Sequence, residues 1–117
     1  NADKQRLKLI EECGELASAI LKNDIELQKD SLGDVFVVLT ILEAQLGLKL
    51  DWSIEKHNKE SFYHYMKAII GSPINYAGYL FPLSEVINHD LTECANLAYN
   101  EIKNRKGKTE NGTFIKD

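Results

Sequence analysis

Long apolar runs are missing from this 117-residue chain. No stretch of 18 apolar residues occurs, which argues against a membrane-spanning helix. Cysteine is scarce as well. Cys13 and Cys94 stand far apart and form no metal-ligand spacing, so both read as reduced, half-buried thiols of a cytosolic, cytoplasmic protein. The three histidines, His57, His64 and His89, match no ligand motif. Positive charge is in deficit: 14 Lys and Arg against 18 Asp and Glu leave a net charge of -4, which speaks against duplex nucleic acid as the main partner. Internal repeats and low-complexity segments are absent. An initiating Met is also missing, which leaves room for a trimmed or disordered leader. What remains is 44% hydrophobic and 27% charged, the composition of one globular domain with a single modest core. A site larger than a small cleft would need a second copy of such a chain. The surplus of acids fits a metal-dependent site built from carboxylates.

Residues 3–22 carry Leu9, Ile10, Cys13, Leu16, Ala17, Ile20 and Leu21 at the three-and-four spacing of an amphipathic helix. Asn23 and Asp24 supply a stop and an N-cap. Residues 25–46 predict a second helix ending at Gly47. Its run VFVVLTIL is rich in β-branched residues and would pass for a buried strand, but good helix formers flank it without a turn signal. KESFYHYMKAII predicts a helix interrupted at Gly71-Ser72-Pro73, and INYAGYLFPLSEVI, with Pro82 inside, one or two short helical pieces. Asp90 followed by Glu93 is a capping-box-like start for a last helix, which Leu91, Cys94, Ala95, Ala98 and Ile102 continue on one face and Gly107 ends. In the tail, Asn111-Gly112 is a turn signal. The expectation is an all-α fold: a single domain over residues 1–117 with four to five helices, a bundle completed by oligomerisation.

The segment DSLGDVFVVLTIL sets Asp30 and Asp34 against apolar residues. On a helical wheel Leu32, Val35, Phe36, Leu39, Leu42 and Leu46 form one face, while Asp30, Asp34, Val37, Val38 and Ile41 fall opposite. The second helix is thus apolar on two faces, as central or interface helices are. The first helix adds Glu11, Glu12 and Glu15 on its polar side, where Lys8 can pair with Glu11 or Glu12. The plainer reading of that trio is a solvated face. A short turn centred near Asn23 makes an antiparallel hairpin, however, and sets Glu12 level with Asp34 and Glu15 level with Ser31. With Asp30 beside Ser31, the four acids Glu12, Glu15, Asp30 and Asp34 on two adjacent helices repel one another without cations, and hard oxygen ligands suit Mg²⁺ or Mn²⁺.

EECGELASAI followed by KDSLGDVFVVLTIL resembles the paired EExxE and ExxD motifs of the MazG-like, all-α nucleoside triphosphate pyrophosphohydrolases. That superfamily also contains the dimeric dUTPases and phosphoribosyl-ATP pyrophosphohydrolase. The matching positions are Glu11, Glu12 and Glu15 for the first motif and Asp34 for the end of the second. The closing AYNEIKNRKGKTENGTFIKD looks like the end of small phage and Firmicute MazG-like proteins, whereas residues 50–88 match nothing and read as a divergent or inserted segment. The resemblance implies a Mg²⁺-dependent enzyme, with Mn²⁺ possible, that converts a nucleoside triphosphate to a monophosphate and pyrophosphate. Glu12, Glu15 and Asp34 would be metal ligands, and Glu11 and Glu12 the catalytic carboxylates. One departure matters: Ser31 stands where the ExxD glutamate belongs, and Asp30, on the same side of the helix as Asp34, is the expected substitute.

Lys103, Arg105, Lys106 and Lys108 cluster near the end of the last helix, where cations also offset the macrodipole. In the resembled family an Asn and basic residues at this end help bind the nucleotide, which singles out Asn100, Lys103 and Arg105. The aromatic middle, Phe62, Tyr63, Tyr65, Tyr76, Tyr79 and Phe81, could stack on a base but more often such residues are core or interface. The doubly apolar second helix leads us to expect a homodimer or a dimer of dimers. From another class, a catalytically silent helical module that oligomerises or binds nucleotide, metal or protein is kept open by Ser31. Base and sugar preference are not written in these motifs.

Overall fold

The computed structural model describes residues 1–54, 60–103, 107–110 and 113–116, the last two segments as backbone only. Helices α1 (Ala2–Leu21) and α2 (Ile25–Leu46) fall within a residue of the predicted bounds. Local chemistry explains why. Asn1 Oδ1 accepts from the Lys4 amide at 3.0 Å, and Asp24 Oδ1 accepts from the Leu27 amide at 3.1 Å. Between the helices Asn23 adopts a φ of 53°, a left-handed conformation that Asn tolerates better than most residues. Gly47, with φ 67°, closes α2. The β-branched run lies wholly inside α2, so amphipathic context outweighs its strand propensity.

The two helices form the antiparallel hairpin. Gln28 Nε2 donates to the Ala19 carbonyl at 3.3 Å near the turn, and Gln5 Nε2 donates to the Val38 carbonyl at 3.2 Å near the far end. Helix α3 (Phe62–Gly71) is followed by α4 (Pro73–Tyr76), a 3₁₀ turn (Ala77–Tyr79) and α5 (Leu80–Val86). Pro73 opens α4 and Pro82 lies in the first turn of α5, positions where a missing N–H costs little. Asp90 caps α6 (Leu91–Lys103): its Oδ1 accepts from the amides of Thr92 at 2.9 Å and Glu93 at 3.3 Å. Gly107, expected to end that helix, instead opens a strand. β1 (Gly107–Glu110) pairs antiparallel with β2 (Thr113–Lys116), Glu110 opposite Thr113. Four residues are too few for a strand period to stand out in sequence, so only the turn was read; that turn, Asn111-Gly112, lies outside the described residues. The body of the molecule is all-α, as expected.

Leu9, Cys13 and Leu16 of α1 and Leu32, Val35 and Leu39 of α2 form the centre of the core. Leu50, Tyr65, Ile69, Leu80 and Leu83 belong to the same cluster, so the middle segment packs on the hairpin. It is also tied by hydrogen bonds. Glu43 Oε2 accepts from the Leu50 amide at 2.8 Å and from Trp52 Nε1 at 3.1 Å, and the Asp51 amide donates to the Ile74 carbonyl at 2.7 Å. Helix α6 crosses α2 at Gly33. A Cβ there would lie 2.4 Å from the Cys94 carbonyl oxygen and 2.8 Å from the Ala98 Cβ, so only glycine permits the approach. Among the described residues no helix is long and apolar enough to cross a membrane.

Candidate metal centre

Helix α1 brings one carboxylate oxygen each of Glu11, Glu12 and Glu15 within 4.8 Å of one another. The trio does not share one solvated face: Glu11 and Glu15 are exposed, but Glu12 is only 7% exposed. Its Oε1 lies 3.2 Å from Lys8 Nζ, while Oε2 is buried with no hydrogen-bond partner. Leaving a carboxylate oxygen out of water without a donor costs free energy that a protein normally avoids. Lys8 also binds Glu11, and these two hydrogen bonds, Glu11 first, hold its ammonium proton well above the usual range.

Asp34 of α2 is half-buried and shares with Glu12 a cleft of about 540 Å³. Lys4, Gln5 and Lys8 line it from α1, Val37, Val38 and Ile41 from α2, and Ala98, Glu101 and Ile102 from α6. The second apolar stripe of α2 is therefore, within this chain, one wall of the cleft. Burial first, then the charges of Glu12, Glu101, Asp30 and Glu15, push the Asp34 carboxyl up to about 6. Glu15 is raised chiefly by the Glu12 charge. Asp30 is raised by burial and then by Glu101. Burial is the first cause for Asp34 and Asp30 and the Glu12 charge for Glu15, but in all three neighbouring carboxylates add to the shift, and a cation would offset that part. The donor set is all carboxylate oxygen, which suits a hard divalent ion, and the orphaned Glu12 oxygen gives that ion something to bind.

The remaining predicted residues are more scattered. Asp30 is exposed and off the cleft wall, although close enough to Asp34 to raise its carboxyl. Ser31 is 1% exposed, its Oγ buried without a hydrogen-bond partner. Asn100 and Lys103 are exposed on α6 and line no part of the cleft, and Arg105 lies outside the described residues. Of the aromatic middle, Tyr65 is core, its ring 5.6 Å from that of Tyr79 in an edge-on contact. The sequence reading missed Glu101, Lys4 and Gln5. A signal for Glu101 did exist: it continues the stripe Cys94–Ala98 by one turn, an acid at the end of an apolar face.

The MazG nucleotide pyrophosphohydrolase domain family matches residues 2–62, which contain both motif-bearing helices. A protein of Haemophilus phage HP1 (strain HP1c1), described as an uncharacterized 18.2 kDa protein in the rep-hol intergenic region, is 55% identical over 42 residues. That match takes in 36% of this chain and 26% of the phage protein, so the chain spans about a quarter of that relative's length. No solved structure matches the chain.

Proposed function

We propose, from the premise that the chain belongs to the MazG nucleotide pyrophosphohydrolase domain family, that its acidic cleft hydrolyses nucleoside triphosphates to monophosphates and pyrophosphate. The observation that carries this is Glu12: a buried carboxylate with one oxygen unpartnered, among acids that repel one another. Glu12, Glu15 and Asp34 would hold Mg²⁺, or Mn²⁺ in its place, with Asp30 as the fourth ligand in place of the carboxylate that Ser31 lacks. When bound, such an ion supplies the positive charge that neutralises a phosphate chain and orients a water for in-line attack. Glu11, exposed and paired with Lys8, accepts the proton of that water. Lys4 and Lys8 bring positive charge to the phosphate side of the cleft. Asn100, Lys103 and Arg105 hold the rest of the nucleotide. The apolar wall of Val37, Val38 and Ile41 limits water around the reacting groups. The working unit is a homodimer or a dimer of dimers in the cytoplasm, acting on nucleotides and not on duplex nucleic acid.

Ser31 favours one other reading, a silent nucleotide- or metal-binding module, because a hydroxyl is a poor substitute for a ligand carboxylate. Incubating the protein with a panel of canonical, oxidised and deoxyuridine triphosphates plus Mg²⁺, and measuring pyrophosphate, separates the two. Hydrolysis should disappear with a chelator and fall about a hundredfold or more in Asp34→Ala. Silence on every nucleotide, or an Asp34→Ala protein as active as the wild type, rejects the enzyme.

A further inference from the structure

The cleft holds one carboxylate that neither motif contains. Glu101 sits in the last turn of α6 and lines the same wall as Glu12 and Asp34. Its place is held by packing. Gly33 lets α6 press on α2 with Cys94 and Ala98, and Glu101 follows Ala98 by three residues, one turn further along. Glu101 shares the cleft with Asp34, and its charge adds to the burial that raises the Asp34 and Asp30 carboxyls. Meanwhile Ser31 carries no charge, and its hydroxyl is buried with no hydrogen-bond partner. The buried, unpartnered Glu12 Oε2 independently marks the same cleft as one built to take a ligand.

We infer that Glu101 supplies the carboxylate that Ser31 does not, so that α1, α2 and α6 together, and not the α1–α2 hairpin alone, hold the divalent cation. This rests on the metal-binding reading above and changes its architecture. Glu12 comes from α1, Asp34 from α2 and Glu101 from α6, which makes the ion a clasp across the Gly33 contact. Asp30, as exposed as Glu101 but off the cleft wall, is then an outer charge rather than the substitute ligand.

Mn²⁺ titration of the full chain without nucleotide, read by the paramagnetic signal of the free ion, tests this directly. The expected result is that Glu101→Gln weakens Mn²⁺ binding about tenfold or more. Glu101→Asp, which keeps the charge on a shorter stem, should lie between that variant and the wild type. Asp30→Asn should cost less than Glu101→Gln. Glu93→Gln, an exposed acid two turns earlier on α6, controls for net charge and should leave the affinity unchanged. The inference is overturned if Glu101→Gln binds like wild type, if Glu93→Gln or Asp30→Asn loses as much, or if the wild type binds no Mn²⁺. Pyrophosphate release is scored separately. A protein that binds Mn²⁺ through Glu101 but hydrolyses nothing rejects the enzyme and keeps this site. A working hydrolase whose Mn²⁺ affinity ignores Glu101 does the reverse.

Discussion

Asp34 keeps its proton to about pH 6, against an ordinary value of 3.8, because burial and four neighbouring carboxylates disfavour its charge. In the metal-free protein the folded state then binds more protons than the unfolded chain between those values, so Asp34 makes stability fall as pH rises through that window. Glu15 and Asp30, both raised, act in the same direction. Thermal melts of chelated protein should therefore lose stability from pH 4 to pH 6, with a shallower loss in Asp34→Asn. Mg²⁺ at pH 7 should restore it. Equal slopes for the two proteins would show that the crowding at Asp34 is not felt. At this scale the sequence was a partial guide. Spacing placed Glu12 level with Asp34, but not that Glu12 would be buried, because which side of an amphipathic helix meets a second apolar stripe depends on the partner helix and not on local order. Ser31 was visible as a departure. The orphaned state of its hydroxyl was not.

Helix bounds were legible wherever the signal is chemical and local: Asp24 capping α2, Gly47 closing it, Asp90 starting α6. The pieces from α3 to α5 were legible as breaks but not as a packed unit, since what ties them down is remote: the Asp51 amide donates to Ile74 and the Asp51 carbonyl accepts from Gly78, while Glu43 holds the adjoining Leu50 amide and Trp52 indole. The α2–α6 crossing was also invisible, although it decides where Glu101 goes. Two glycines test that crossing against helix propensity. Gly33→Ala must push α6, through Cys94 and Ala98, away from α2 and should cost about 1–3 kcal/mol in urea unfolding, with weaker Mn²⁺ binding. Gly14→Ala, in α1 with nothing within 4 Å of its added Cβ, should be stabilising by up to about 1 kcal/mol. A neutral Gly33→Ala would mean that the helices are not in the contact described.

For the molecule as a whole, α1 leaves large aliphatic side chains in water: Leu7 is 66% and Ile10 50% exposed. Together with the apolar rim of Ile41 and Ile102, this is surface that a second copy would cover. Sedimentation should return twice or four times the 13.3 kDa of one chain, and Leu7→Lys with Ile10→Lys should return a single chain. A wild-type mass of one chain would remove the expected assembly. The fold class was readable because three long helices carry it, whereas assembly was not, because the same apolar face serves a core, a cleft wall or an interface.

The turn between α1 and α2 has a consequence of its own. Among the described residues no disulfide or ion pair joins α1 to α2; besides the Gln5 and Gln28 hydrogen bonds, the interval from Lys22 to Asp24 sets how far α2 slides along α1, acting as a ruler cut into the chain. Removing one residue from it would rotate α2 by about 100° and shift it by about 1.5 Å relative to its start. Both acidic motifs would still be spelled correctly. They would no longer meet, so a gene reader would find this protein intact after its site had been dismantled.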